Sequence, residues 1–92
     1  MKEIFELRAL IKGRVQGVGF RWIVCNVADS LGLSGTVKNL DSGDVEVIAQ
    51  GSKEKLEKFI KNLKKSPGKS KVETIDFEYV NPTSQSGFKI IF

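Results

Sequence analysis

Residues 13–21 read Gly13-Arg14-Val15-Gln16-Gly17-Val18-Gly19-Phe20-Arg21, and they join a stretch of alternating apolar residues to a stretch with helical spacing. Glycines at such a junction let backbone N–H groups approach an anion closely, and an arginine adds a planar fork of donors that matches a phosphate. The position six residues before Arg21 is Val15, so the loop lacks the thiolate of a cysteine-nucleophile phosphatase. The stretch predicts a phosphate-binding loop without a protein nucleophile.

The segments around this loop predict five strands and two helices. Alternating apolar residues predict strands at residues 4–12, 34–40, 44–50 and 71–80, with a short last strand that contains Phe88, Ile90 and Phe92. Helical spacing predicts one helix that ends at Gly32 and a second that starts after Ser52, an N-cap candidate. A tight turn is predicted at residues 41–43, between the second and third strands.

This order, β-α-β-β-α-β plus a last strand, predicts an α+β fold of the ferredoxin-like split βαβ type. Right-handed crossovers would place both helices on one face of a mixed sheet. We expect the first and third strands to be central and parallel, and the opposite face to be open or partly covered by the end of the chain. Residues 1–92 are expected to form one domain. The partner of the last strand stays open.

The composition limits which catalytic residues and metal ligands the chain can use. Because the chain has no histidine, it lacks the commonest general base and the commonest metal ligand. Its single cysteine, Cys25, excludes an intramolecular disulfide. No apolar run approaches the length of a membrane span, and the N-terminus lacks a signal-peptide pattern. We therefore expect a cytoplasmic, metal-independent monomer without a cofactor. Cys25 is predicted to be a packing thiol, and Trp22 to support the core or the loop.

Positive charge is concentrated in one segment. Residues 53–71 contain eight lysines against Glu54 and Glu57, whereas the whole chain has a net charge of only +4. We expect a solvated helix face that attracts anionic substrates weakly, and no binding of nucleic acid.

Two stretches resemble the signatures of the acylphosphatase family. Residues 11–21, from Ile11 through the glycine loop to Arg21, are similar to its first motif. A second pattern follows at Gly35-Thr36-Val37-Lys38-Asn39, and Gly43, Val45 and Gly51 stand at the family's spacings. This sequence departs from the family at Thr36, where an aromatic residue is usual, and at Leu40, where some members have a hydroxyl residue.

The resemblance implies a ferredoxin-like fold and the hydrolysis of acyl phosphates to a carboxylate and inorganic phosphate. It implies that Arg21 and the backbone amides of Val15, Gln16, Gly17, Val18, Gly19 and Phe20 bind the phosphate, and that Asn39 orients the attacking water. Inorganic phosphate is then both a product and an inhibitor. The residues suit this chemistry, because a carboxylate leaves without a general acid and the water can pass its proton to the substrate's own phosphate.

Other classes of protein share the fold, so the fold alone does not decide the function. The alternative is a ferredoxin-like module that binds phosphate or RNA without turnover. An RNA recognition motif would carry aromatic residues in its central strands, whereas the third predicted strand, Val45-Glu46-Val47-Ile48-Ala49-Gln50, has none.

Overall fold

The computed structural model describes residues 3–92, and in that range the chain forms the predicted five strands and two helices. They are β1 (Phe5–Arg14), α1 (Phe20–Ser30), β2 (Ser34–Asn39), β3 (Val45–Gly51), α2 (Lys53–Lys64), β4 (Lys71–Val80) and β5 (Phe88–Ile91). Ser52 is the N-cap of α2, as predicted, because its side chain accepts a hydrogen bond from the Lys55 N–H at 3.3 Å. α1 begins at Phe20, directly after the glycine loop, and the Phe20 side chain is buried.

The strands form one sheet in the order β4-β1-β3-β2-β5. β1 and β3 are central, but the prediction that they are parallel is wrong: they pair antiparallel, with Leu7 opposite Ala49. The crossover through α1 makes β1 and β2 run in the same direction, and the hairpin then reverses β3, which lies between them. The sheet is mixed because β5 pairs with β2 in parallel, with Val37 opposite Ile90.

Both helices cover the same face of the sheet, as predicted. Leu7, Ala9 and Ile11 of β1 are buried on this face, and they share one apolar cluster with residues of both helices. α1 contributes Val24 and Ala28, and α2 contributes Leu56, Phe59 and Leu63. This packing fixes the position of α1 above the sheet, and therefore also the position of the loop from which α1 begins.

The other face of the sheet is mostly polar, and residues 81–87 cover one end of it. The Glu6 carboxylate is buried there and accepts hydrogen bonds from the Thr83 N–H at 3.1 Å, the Thr83 hydroxyl at 2.8 Å and Gln50 Nε2 at 2.9 Å. Burial raises the pKa of Glu6, but these bonds and the charge of Arg8 outweigh it, so the pKa lies below its usual value. The covering of this face by the chain's end was expected.

The exposed part of this face carries paired charges. Arg8 lies opposite Glu78, and Lys38 lies opposite Glu46. The two central strands place Arg8, Leu10, Glu46 and Ile48 at the positions where an RNA recognition motif would stack bases on aromatic side chains. The aromatic residues of β4, Phe77 and Tyr79, pair with Ala9 and Leu7 and so lie on the helix-covered face. The open face therefore does not resemble an RNA-binding platform.

Candidate active site

The glycine loop turns sharply between β1 and α1. Gly17 and Gly19 have φ angles of 73° and 74°, in the left-handed region that side chains with a Cβ rarely adopt. A Cβ at either position would meet no atom within 4 Å, so the demand for glycine is conformational and not a matter of space. Gly19 is also the N-cap residue of α1.

The N–H groups of this loop are left without acceptors. Within residues 3–92, the N–H groups of residues 16–19 donate to no backbone carbonyl or side chain of the protein. The first turn of α1 adds more, since the first four N–H groups of a helix have no acceptor inside it. Unlike α2, α1 begins with no side-chain cap and no acidic residue in its first turn. Amides and helix dipole together therefore favour an anion at this point.

A cleft of about 170 Å³ opens beside these amides. Its lining comes from the loop, from the first turn of α1, from the end of β2 and from β5: Val15, Gly17, Gly19, Phe20, Arg21, Trp22, Asn39 and Ile90. The fold thus brings Arg21 and Asn39 to one cleft, although α1 and β2 separate them along the chain. Larger depressions exist, but in the one of about 340 Å³ on the open face the charges of Glu46, Asp76 and Glu78 outnumber that of Arg8, so its net charge repels a phosphate.

Asn39 carries an unused acceptor. It is the last residue of β2, and it is held in the sheet opposite Val45. Its Oδ1 is buried and has no hydrogen-bond partner among residues 3–92. A buried acceptor without a donor costs about 1–3 kcal/mol, so this oxygen is suited to a donor that arrives with the substrate, such as a water molecule.

Arg21 lies in the first turn of α1 and is half-buried. Its guanidinium stands over the ring of Phe92, 5.1 Å from the ring centroid. Phe92 is otherwise 94% exposed. The ring therefore lies beside the guanidinium without enclosing it, a contact that the sequence did not indicate.

The structure contradicts a core position for Trp22 and confirms the prediction for Cys25. The prediction was that Trp22 supports the core or the loop; a core position is wrong, because Trp22 is 65% exposed and stands beside the loop at the wall of the cleft. The prediction for Cys25 is confirmed, since its half-buried side chain packs against the core cluster and does not line the cleft. Burial, together with the charge of Asp29, raises the pKa of the Cys25 thiol.

The two departures from the family pattern lie away from the cleft wall. Thr36 pairs with Ile48 and Lys89, and it projects from the open face of the sheet because its neighbour Val37 is buried on the helix side. Leu40 belongs to the turn after β2, where its N–H donates to the Asp44 carbonyl at 2.9 Å. Leu40 enters the turn through its backbone N–H and carbonyl, which any residue except proline can supply.

The side chain of Gln16 makes contacts that the sequence did not reveal. We expected only its backbone N–H to contribute to the site. Its Nε2 also donates to the carbonyls of Leu40, at 2.8 Å, and Asp44, at 2.9 Å.

Within residues 3–92, no group of three or more His, Cys, Asp or Glu side chains could hold a metal ion. No helix in the described range is long and apolar enough to cross a membrane.

The fold and the cleft together define a ferredoxin-like α+β domain whose cleft is lined by the glycine loop, one arginine and one asparagine. The sequence profile of the Acylphosphatase family matches residues 7–90, and the chain belongs to this family. It is 45% identical over 85 residues to an acylphosphatase of Thermus thermophilus, covering 92% of this chain and 97% of that protein.

Solved structures agree with this family. The crystal structure of acylphosphatase from Bacillus subtilis superposes with a TM-score of 0.91 at 37% identity, covering 96% of this chain and 99% of that one. Full-length HypF, in its phosphate- and nucleotide-bound form, matches with a TM-score of 0.93 at 33% identity. That match covers all of this chain but only 12% of HypF, so the similarity is to one part of the larger protein.

Proposed function

We propose that this protein hydrolyses acyl phosphates by direct attack of water on phosphorus, without a covalent phosphoenzyme. Membership of the acylphosphatase family supports small-molecule acyl phosphates as substrates. The observation that carries the mechanism is the meeting of two features in one cleft: a set of backbone amides without acceptors, and the unpartnered Oδ1 of Asn39.

The phosphate lies against the loop. The amides of residues 15–20 donate to its oxygens, and the Arg21 guanidinium adds charge-assisted hydrogen bonds. The transition state for phosphoryl transfer spreads negative charge over the three equatorial oxygens. Donors that are already in place stabilise this charge without reorganisation, so this part of the site lowers the barrier as well as binding the substrate.

Asn39 places the water. Its Oδ1 accepts one hydrogen bond from the water, which leaves an oxygen lone pair free to attack phosphorus in line with the leaving group. The bond between phosphorus and the carboxyl oxygen breaks, and that electron pair leaves with the carboxylate. The water's proton passes to a phosphate oxygen of the substrate, so the products are a carboxylate and inorganic phosphate. No protein side chain has to gain or lose a proton.

Several further properties belong to this proposal. Inorganic phosphate should inhibit as a product, because it fits the same amides. We propose that residues 1–92 are one domain that acts as a cytoplasmic monomer, needs no metal or cofactor, and binds no nucleic acid. Sedimentation equilibrium tests the monomer, and titration with labelled RNA tests the last point.

Hydrolysis of acetyl or benzoyl phosphate in excess chelator tests the proposal. The wild-type protein should turn over both substrates and act poorly on alkyl phosphate esters, whose leaving groups are worse. Asn39→Ala should lower kcat strongly and leave inhibition by phosphate nearly unchanged, because its contact to water matters mainly in the transition state. Loss of activity on chelation, restored by a divalent ion, contradicts metal-free turnover. Phosphate binding without hydrolysis would instead support the module without turnover.

A further inference from the structure

The two halves of the cleft come from different parts of the sheet, and one side chain connects them. Gln16 belongs to the glycine loop, yet its Nε2 donates to the Leu40 carbonyl at 2.8 Å and to the Asp44 carbonyl at 2.9 Å. A glutamine amide carries two N–H donors, so both are used in this contact. The bonds are partly buried, which keeps water from replacing them freely.

The two acceptors sit at the base of the turn that follows Asn39. There the Leu40 N–H donates to the Asp44 carbonyl at 2.9 Å, and the Gly43 N–H donates to the Leu40 carbonyl at 3.0 Å. Gln16 therefore joins a hydrogen-bonded ring that closes the hairpin between β2 and β3. Because Leu40 follows Asn39 directly, the contact fixes the backbone next to the oxygen that would hold the water.

Val15 and Phe20 are buried and anchor the two ends of the loop in the core, and Val18 packs against the core cluster, but toward the hairpin between β2 and β3 the loop is held by the Gln16 amide. The Cα atoms of Gly17 and Gly19 face open space, and the N–H groups of residues 16–19 have no acceptors within the described part of the chain. Loss of the Gln16 contact would let the amides and Asn39 shift relative to each other across the cleft. A misplacement of about 1 Å between reacting groups can cost about a hundredfold in rate.

We propose that Gln16 is a positioning residue, whose side chain sets the distance between the phosphate-binding amides and Asn39. This inference rests on the proposed function, since it assigns those two partners their roles. The contact needs a donor at the reach of a glutamine. Asparagine is one methylene shorter, and ionised glutamate has no donor and would face two carbonyl oxygens.

Gln16→Met is the test variant, because methionine keeps the length of the side chain and removes the donors. Gln50→Met is its matched control, since Gln50 Nε2 also bridges two acceptors, Glu6 and the Thr83 carbonyl, but on the open face. We expect both variants to lose similar thermal stability. Only Gln16→Met should lower kcat, by about tenfold to a hundredfold, with less than about a threefold change in the inhibition constant of phosphate. Equal kcat values in the two variants would overturn the proposal.

A double-mutant cycle with Asn39→Ala identifies the partner through which Gln16 acts. If Gln16 works by placing Asn39, Gln16→Met should cost less than about twofold in kcat once Asn39 is already alanine. Independent sites would instead multiply their effects. Multiplied effects in the double variant would overturn the inference.

Gln16→Glu is a second test variant, and it can replace Gln16→Met if the methionine variant does not fold. A protonated glutamate regains one O–H donor, so its kcat relative to wild type should rise as the pH falls toward about 4.3. Asp41 and Asp44 of the same turn are present in both proteins, so the ratio isolates the new carboxyl group. A ratio that stays flat or falls with acid would overturn the inference.

A measurement without turnover separates this inference from the proposed function. In NMR titrations with inorganic phosphate, binding at the loop should shift the backbone amide signals of residues 40–44 in wild type and leave them unchanged in Gln16→Met. If wild type binds phosphate and shows these shifts but hydrolyses nothing, the proposed function fails and the contact stands. If the variant shows the same shifts as wild type, the positioning role fails.

Discussion

At the scale of single residues, Arg21 stands where an α-helix least tolerates a positive charge. It occupies the first turn of α1, next to the positive end of the helix dipole, and within residues 3–92 no acidic residue lies in that turn to compensate. The ring of Phe92 offers its negative face to the guanidinium, which offsets part of this cost. An arginine kept in such a position is best explained by an anion that binds there.

Replacing Arg21 should therefore weaken phosphate binding and catalysis together. Arg21→Lys and Arg21→Ala each lose the planar fork, so we expect a loss of about 1.5–3 kcal/mol, or about tenfold to over a hundredfold in kcat/KM. Inhibition by inorganic phosphate should weaken in parallel. Arg8→Ala, on the open face, is the control and should retain both values. Wild-type phosphate affinity in Arg21→Ala would show that the arginine does not hold the phosphate.

The pH dependence of the reaction follows from the absence of histidine, the side chain whose ordinary pKa lies closest to neutrality. In addition, the Asn39 amide does not ionise. Burial, together with Asp29, raises the pKa of the Cys25 thiol, so it stays protonated through this range. We expect a nearly flat kcat between about pH 5 and 8, unchanged in Cys25→Ser. A bell-shaped profile that disappears in Cys25→Ser would place the thiol in the reaction.

The residues of the cleft differ in how well the sequence predicts their place. Arg21 and Asn39 lie in motifs, and the fold brings them to one cleft. The side-chain contacts of Gln16 and the ring of Phe92 over Arg21 could not be predicted, because both join segments that meet only after the sheet has formed. Trp22 was misplaced because apolar character alone does not say which side of a helix's first turn faces the core.

At the scale of elements, the sequence pattern predicts where the strands are but not their relative directions. Periodicity located all five strands within residues 3–92, but it carries no information about how neighbours run. The antiparallel pairing of β1 and β3 follows from the connections between the strands. The crossover through α1 keeps β2 in the direction of β1, and the hairpin after β2 then reverses β3. The pairing of β5 with β2 was likewise hidden, because a short strand such as Phe88–Ile91 could extend either edge.

The contact between Glu6 and residues 81–87 should make stability sensitive to acid. The pKa of Glu6 is lowered in the folded state, because the hydrogen bonds from Thr83 and Gln50 outweigh the effect of burial. A lowered pKa contributes stability above the unfolded-state value, about 4.3, and this contribution is lost as the pH falls through the folded-state value. Glu6→Gln should therefore lose about 1.5–3 kcal/mol at neutral pH and unfold with a shallower dependence on acid.

Urea unfolding at neutral and acidic pH measures this effect. The difference in unfolding free energy between wild type and Glu6→Gln should shrink as the pH falls below about 4. Glu78→Gln, an exposed carboxylate on the same face, is the control and should change stability little at either pH. A constant difference between wild type and Glu6→Gln would mean that the carboxylate's charge does not stabilise the fold.

At the scale of the whole molecule, the lysines of residues 53–71 are all exposed. Within the described residues, one ion pair forms among them, Lys58 with Glu54 at 3.5 Å, and both side chains are largely exposed. Such a pair contributes little to stability. We expect these charges to attract anionic substrates over a distance, so kcat/KM should fall modestly with salt while kcat stays constant. Tight RNA binding that competes with phosphate would contradict this and favour the nucleic-acid alternative.

The position of β1 at the centre of the sheet has a consequence for how the chain folds. β1 is made early, yet its neighbours are β3 and β4, so Glu6 must find both Gln50 and Val80 before the sheet is complete. Pairings between such distant parts of a chain cost loop entropy before they return any stability, and sheets dominated by them fold in about milliseconds to seconds. During synthesis, β1 therefore remains without its outer partner until residues 71–80 have emerged. The cleft is also completed late, because Ile90 of β5 forms part of its wall and residues 88–91 emerge after β4.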